Sequence, residues 1–84
     1  MSWKSDAIVC GERAARSFRV GLEAQAAEHI LTVVDALDRA PKELAKTLDI
    51  LFGEIANAQE RRDFLRVADL LEYELPRGLE EVVA

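Results

Sequence analysis

Hydrophobic positions along this chain recur at helical spacing, and no run alternates in the manner of a strand. Trp3, Ala7, Cys10, Ala14 and Phe18 fall four, three, four and four residues apart, on one face of a helix. Ser2 or Ser5 is a suitable N-cap for that segment, and Gly21 marks the break after it. A second segment, from about Leu22 to Arg39, repeats Ala26, Ile30, Val33 and Leu37 at four, three and four, the a/d spacing of a bundle seam. Pro41 cannot continue that helix but fits the first turn of the next.

The third segment, from Pro41 to about Glu60, carries Leu44, Leu48, Leu51, Ile55 and Ala58 at the same spacing. Asp63 follows as an N-cap for a fourth helix, its carboxylate placed to accept orphan N–H groups of the first turn. The boundary between helices three and four is the weakest, and the two could run on as one. Phe64, Ala68, Leu71, Leu75, Leu79 and Val82 form the fourth stripe. Pro76 lies within it and predicts an end or a kink, because its ring clashes with the Glu72 carbonyl and removes that hydrogen bond. The pattern predicts an all-α fold: a compact bundle of about four amphipathic helices, mostly up-and-down, in a single domain over residues 1–84.

Size narrows the picture. A chain of 84 residues buries only about 60 % of its unfolded surface, so its helices must pack well or two chains must associate. The net charge of −5 argues against nucleic acid as a partner. The charge is also uneven. Lys4, Arg13, Arg16 and Arg19 outnumber Asp6 and Glu12 in the first twenty residues, whereas Asp69, Glu72, Glu74, Glu80 and Glu81 face only Arg77 near the end. The two ends are therefore placed to attract, within one chain or between two. One cysteine, Cys10, allows no internal disulfide and suits a reducing compartment. No signal peptide or membrane-spanning run is visible, so a cytoplasmic protein without a membrane partner is expected.

Candidate chemistry is sparse. His29 sits in "AEHILTVV", beside the core stripe. A phosphotransfer bundle places Lys and Gly three and four residues after its histidine, where this chain has Thr32 and Val33. The acidic pairs Glu60/Asp63 and Asp69/Glu72 are at i, i+3, but the Glu-x-x-Glu of helical pyrophosphohydrolases is missing. Cys10 lies on the apolar stripe as a small core residue. The glycines are isolated, so no phosphate loop is present. These features predict no catalytic residue, no cofactor-binding residue and no metal. A phosphotransfer or metal-dependent bundle enzyme using His29 or the acidic pairs is the alternative.

The segment from Ala56 to Glu81, "ANAQERRDFLRVADLLEYELPRGLEE", resembles the C-terminal signature of a small all-helical bacterial family of unknown function. That signature reads approximately A-x-E-x-x-D-[FY]-x-x-x-A-D-[LI]-L-E-Y-E-L-x-P-x-L-E-E. Pro76 departs from it by following "YEL" directly. The resemblance carries no known activity. It implies a link to small helical proteins of bacterial motility and flagellar export.

A helical wheel of the fourth segment sets Tyr73 almost opposite the core arc, with Arg66, Asp69, Arg77 and Glu80 on the same outer face and Leu70 turned toward Tyr73. Gly53 lies opposite the core stripe of the third segment, near Ile50 and Asn57. Glycine in an exposed helix costs about 1 kcal/mol against alanine, which a close crossing on that back face would explain. The reading that follows is an interaction module, adaptor or chaperone-like, with a protein partner or a second copy (a homodimer) meeting Leu70, Tyr73, Asp69, Arg77 and Gly53.

Overall fold

A computed structural model describes residues 2–80. Helix α1 spans Trp3–Arg19, α2 Glu23–Leu37 and α3 Ala45–Glu60. Helix α4 covers residues 64–80 in three segments: α-helical Phe64–Asp69, a π-helical turn Leu70–Glu74, and α-helical Leu75–Glu80. No strand occurs among the described residues. The predicted all-α bundle is the fold. Val82 of the predicted fourth stripe lies outside the described residues.

The helix ends follow from local chemistry. Ser2 caps α1, its Oγ accepting from the Ser5 N–H at 3.1 Å. The end of α1 is a Schellman turn: Leu22 N–H donates to the Ser17 carbonyl at 2.8 Å and Gly21 N–H to that of Phe18 at 3.2 Å. Gly21 supplies the required positive φ of 80°. A similar turn separates α3 from α4. Asp63 N–H donates to the Ala58 carbonyl at 2.8 Å and Arg62 N–H to that of Gln59 at 3.0 Å. Arg62 takes the left-handed position, at φ 57°, so a non-glycine residue bears that cost. Asp63 then accepts from the Arg66 N–H at 3.2 Å, the cap its sequence position predicts. Between α2 and α3, Pro41 leads into a 3-10 turn, Lys42–Leu44, so α3 begins later than Pro41.

Packing is sequential in space. Helix α1 packs against α2 and α4, and α4 against α1 and α3; α2 and α3 do not meet among the described residues. The order is α2–α1–α4–α3, with two inner helices and two edge helices. The inner helices need two apolar flanks each. Helix α1 meets this with small residues, burying Ala7, Gly11, Ala14, Ala15 and Ser17. Helix α4 meets it with large ones, burying Val67, Leu70, Leu71, Leu75 and Leu79. The stacked rings of Phe18 and Phe64, with centroids 5.5 Å apart, join the C-terminal end of α1 to the start of α4.

Pro76 does not end the helix. Its effect is absorbed one turn earlier, where Leu75 N–H reaches the Leu70 carbonyl five residues back. The widened turn lies immediately before the ring that would otherwise press on the Glu72 carbonyl, and the helix continues to Glu80.

Candidate interaction surface

The residues expected to form one outer surface on α4 and α3 separate into different environments. Leu70 is fully buried, at 0 % exposure, so its assignment to a partner-binding face is corrected. The reason is the inner position of α4. A helix packed on two neighbours buries a wider arc than one packed on a single neighbour, and Val67 and Leu70 extend that arc. Tyr73 is exposed, at 62 %. Asp69 accepts a hydrogen bond from Arg19 at 3.0 Å, and Arg19 also pairs with Glu72. The attraction predicted between the basic start and the acidic end of the chain is thus satisfied within one molecule.

Burial alone would lower the Arg19 pKa. The Glu72 and Asp69 hydrogen bonds and the Glu72 charge outweigh it and raise the value above the ordinary one.

Arg77 lies 4.0 Å from Glu74 at i, i+3. Both border a groove of about 260 Å³ between α3 and the end of α4, floored by Leu48, Leu51 and Leu75. Gly53 is exposed, and a Cβ built on it would meet nothing within 4 Å. No close crossing among the described residues explains it. The close approach occurs at Gly11, where a Cβ would lie 3.0 Å from Leu75 Cδ2 and 3.2 Å from the Leu71 carbonyl oxygen. Within the fold, the glycine at a helix crossing is Gly11.

The polar residues of the enzymatic alternative are spread over separate roles. Asp63 caps α4, Asp69 and Glu72 hold Arg19, and His29 is half-buried on α2. Cys10 is buried in the α1 stripe. Among the described residues, no three His, Cys, Asp or Glu side chains gather where they could hold a metal ion.

A different surface emerges on α2. Its buried residues, Ala26, Val33, Ala36 and Leu37, all serve the contact with α1. On the opposite side Ala24, Ala27, Leu31 and Val34 recur at three, four and three residues, and all four are exposed. Leu31 is 69 % and Val34 47 % exposed. This is a second apolar strip on the same helix, and no other element among the described residues covers it. The signal was present in the sequence, since α2 carries more apolar residues than a one-sided helix needs.

No family model, curated protein or solved structure matches the chain. The class that the described residues define is an all-α bundle of four helices, with an exposed apolar strip on the edge helix α2 that no described element covers. No helix among the described residues is long and apolar enough to cross a membrane.

Proposed function

We propose that this chain is a non-catalytic helical interaction module, adaptor or chaperone-like, that docks another protein chain. The observation that carries the reading is the outer strip of α2. Leu31 and Val34 stand at helical spacing in solvent, on a helix whose internal contacts are met by its other side. Apolar residues in such an arrangement gain free energy only when something covers them. The involvement of Asp63, Asp69 and Glu72 in capping and ion pairing counts against the phosphotransfer or metal-dependent alternative.

Self-association is a second reading, favoured by Tyr73. Its ring is a large apolar body with a polar tip, suited to an interface, and it stays exposed on α4. A link to bacterial motility and flagellar export is an analogy that rests on size, acidity and helix layout.

The test compares wild type with Leu31→Gln/Val34→Gln and with Tyr73→Ala. Sedimentation over a range of concentrations reads self-association, and affinity capture from extracts of the source organism reads foreign partners. A specific protein lost from the α2 variant, with helicity unchanged, supports docking through α2. Dimerisation lost with Tyr73→Ala supports the second reading. Three monomers with identical captured proteins would overturn both.

A further inference from the structure

The outer strip of α2 carries information about what covers it. Every fully charged residue from Glu23 to Asp38 is acidic: Glu23, Glu28, Asp35 and Asp38. Glu28 and Asp35 share one face and run along one long edge of the strip, at i, i+7, and Glu23 and Asp38 lie toward its two ends. Helix α2 itself carries no lysine or arginine. Arg39 is held by Asp6 at 3.4 Å. Arg13 and Arg39 both border the groove between α1 and α2 that Asp35 lines, whereas Glu23 and Glu28 do not line it. The strip is thus apolar along its centre and negative at its margins.

We propose that the outer face of α2 is the docking surface for a cationic amphipathic helix of a partner protein. The proposal rests on the interaction-module reading and names the chemistry of the partner. An amphipathic helix laid along α2 would set its own apolar stripe on Leu31 and Val34. Ala24 and Ala27 allow close approach of the two backbones. Lysine or arginine flanking that stripe would meet Glu28 and Asp35, raising the association rate and fixing the register.

The other occupants fit less well. A second copy of α2 packed antiparallel would bring Glu28 and Asp35 against the same two residues of its partner, and like charges set together disfavour that pairing. An anionic membrane surface would be repelled by the same four carboxylates, since interfacial helices carry Lys and Arg at their margins.

The experiment uses two synthetic helical peptides of equal length with the same leucine stripe, one flanked by lysine and one by glutamate. Binding to the full chain is followed by fluorescence anisotropy at low and high salt. The lysine-flanked peptide is expected to bind and to weaken as salt rises. Leu31→Gln/Val34→Gln, both at exposed positions, should reduce its affinity by about tenfold or more, with helicity retained. Glu28→Gln/Asp35→Asn should weaken it less and flatten the salt dependence. Two results overturn the proposal: equal binding of the glutamate-flanked peptide, or lysine-peptide binding that ignores the Leu31/Val34 substitutions. If neither peptide binds and wild type self-associates through Leu31 and Val34, the cationic partner is overturned and the interaction reading stands. If neither peptide binds and the chain stays monomeric with no partner sensitive to α2, both fall.

Discussion

Leu70→Ala and Tyr73→Ala separate two pictures of α4 that differ in how wide an arc of the helix is buried. Leu70 is fully buried, whereas Tyr73 is 62 % exposed. Truncating Leu70 removes three carbons from the core, about 2.4 kcal/mol at roughly 0.8 kcal/mol per buried methylene equivalent. The cavity left between packed helices adds to that, so the total falls at about 3–4 kcal/mol, within the usual range for buried leucine to alanine. For a domain of this size each kcal/mol moves the melting midpoint by about 4–8 °C, so a drop of well over 10 °C is expected. Tyr73→Ala should stay within about 0.5 kcal/mol of wild type in a monomer, as surface substitutions do. Urea titration with circular dichroism measures both, and unchanged slopes would show that the comparison is of stability alone. If Leu70→Ala melts like wild type, the π-helical turn does not place Leu70 in the core. The broad buried arc assigned to α4 would then be wrong.

Gly53→Ala should stabilise by about 1 kcal/mol, because it gains helix propensity in open space, and differential scanning calorimetry should show a higher midpoint. Gly11→Ala gains the same propensity but sets a methyl against Leu75 and the Leu71 carbonyl, so its midpoint should be no higher than wild type; equal gains at both sites would refute the assignment of the helix crossing. Arg19→Met should cost about 1 kcal/mol, since it removes two partly exposed ion pairs, and the loss measured by denaturant titration should shrink as salt rises. Asp63→Ala should cost about 1 kcal/mol through the lost cap, read as a lower midpoint in urea. Arg62→Gly should be neutral to within about 1 kcal/mol in thermal melts, because it relieves the left-handed backbone. Its guanidinium, 5.7 Å from the Phe64 ring centroid, is lost in exchange.

The four helices were legible because each carries one periodic stripe, and Asp63 was legible as a cap because its side chain acts locally. Gly21 was legible as a break for the same reason. The residues that misled are those whose surroundings are set by topology. The wheel of α4 assumed one buried face and turned Leu70 away from it, toward Tyr73. Only the arrangement of α4 between α1 and α3 brings it inside. Pro76 was read as an end or a kink because its ring clashes with the Glu72 carbonyl in a regular α-helix; a widened turn just ahead of it is a solution that periodicity does not reveal. Gly53 and Gly11 are indistinguishable by propensity, and the difference lies in what stands opposite each. Arg62 shows the converse case, with an αL position at a helix end occupied by a residue that gives no sign of it.

The order α2–α1–α4–α3 also gives meaning to the distribution of apolar side chains. An inner helix has two neighbours and consumes two flanks, which accounts for the small residues of α1 and the leucines of α4. An edge helix has one neighbour and consumes one flank. Helix α2 nevertheless carries two, the seam of Ala26, Val33 and Leu37 toward α1 and the strip of Ala24, Ala27, Leu31 and Val34 away from it. Helix α3 shows no comparable strip: opposite its core stripe stand Lys46, Gly53 and Asn57, with Ile50 as the one large apolar side chain. The asymmetry between the two edges singles out α2, since both face solvent under the same constraint. A scattered leucine on a surface requires no explanation. Four residues in register, on the unpacked side of an otherwise acidic helix, are the pattern of a helix that packs on both sides. Among the described residues only one of those sides has a neighbour.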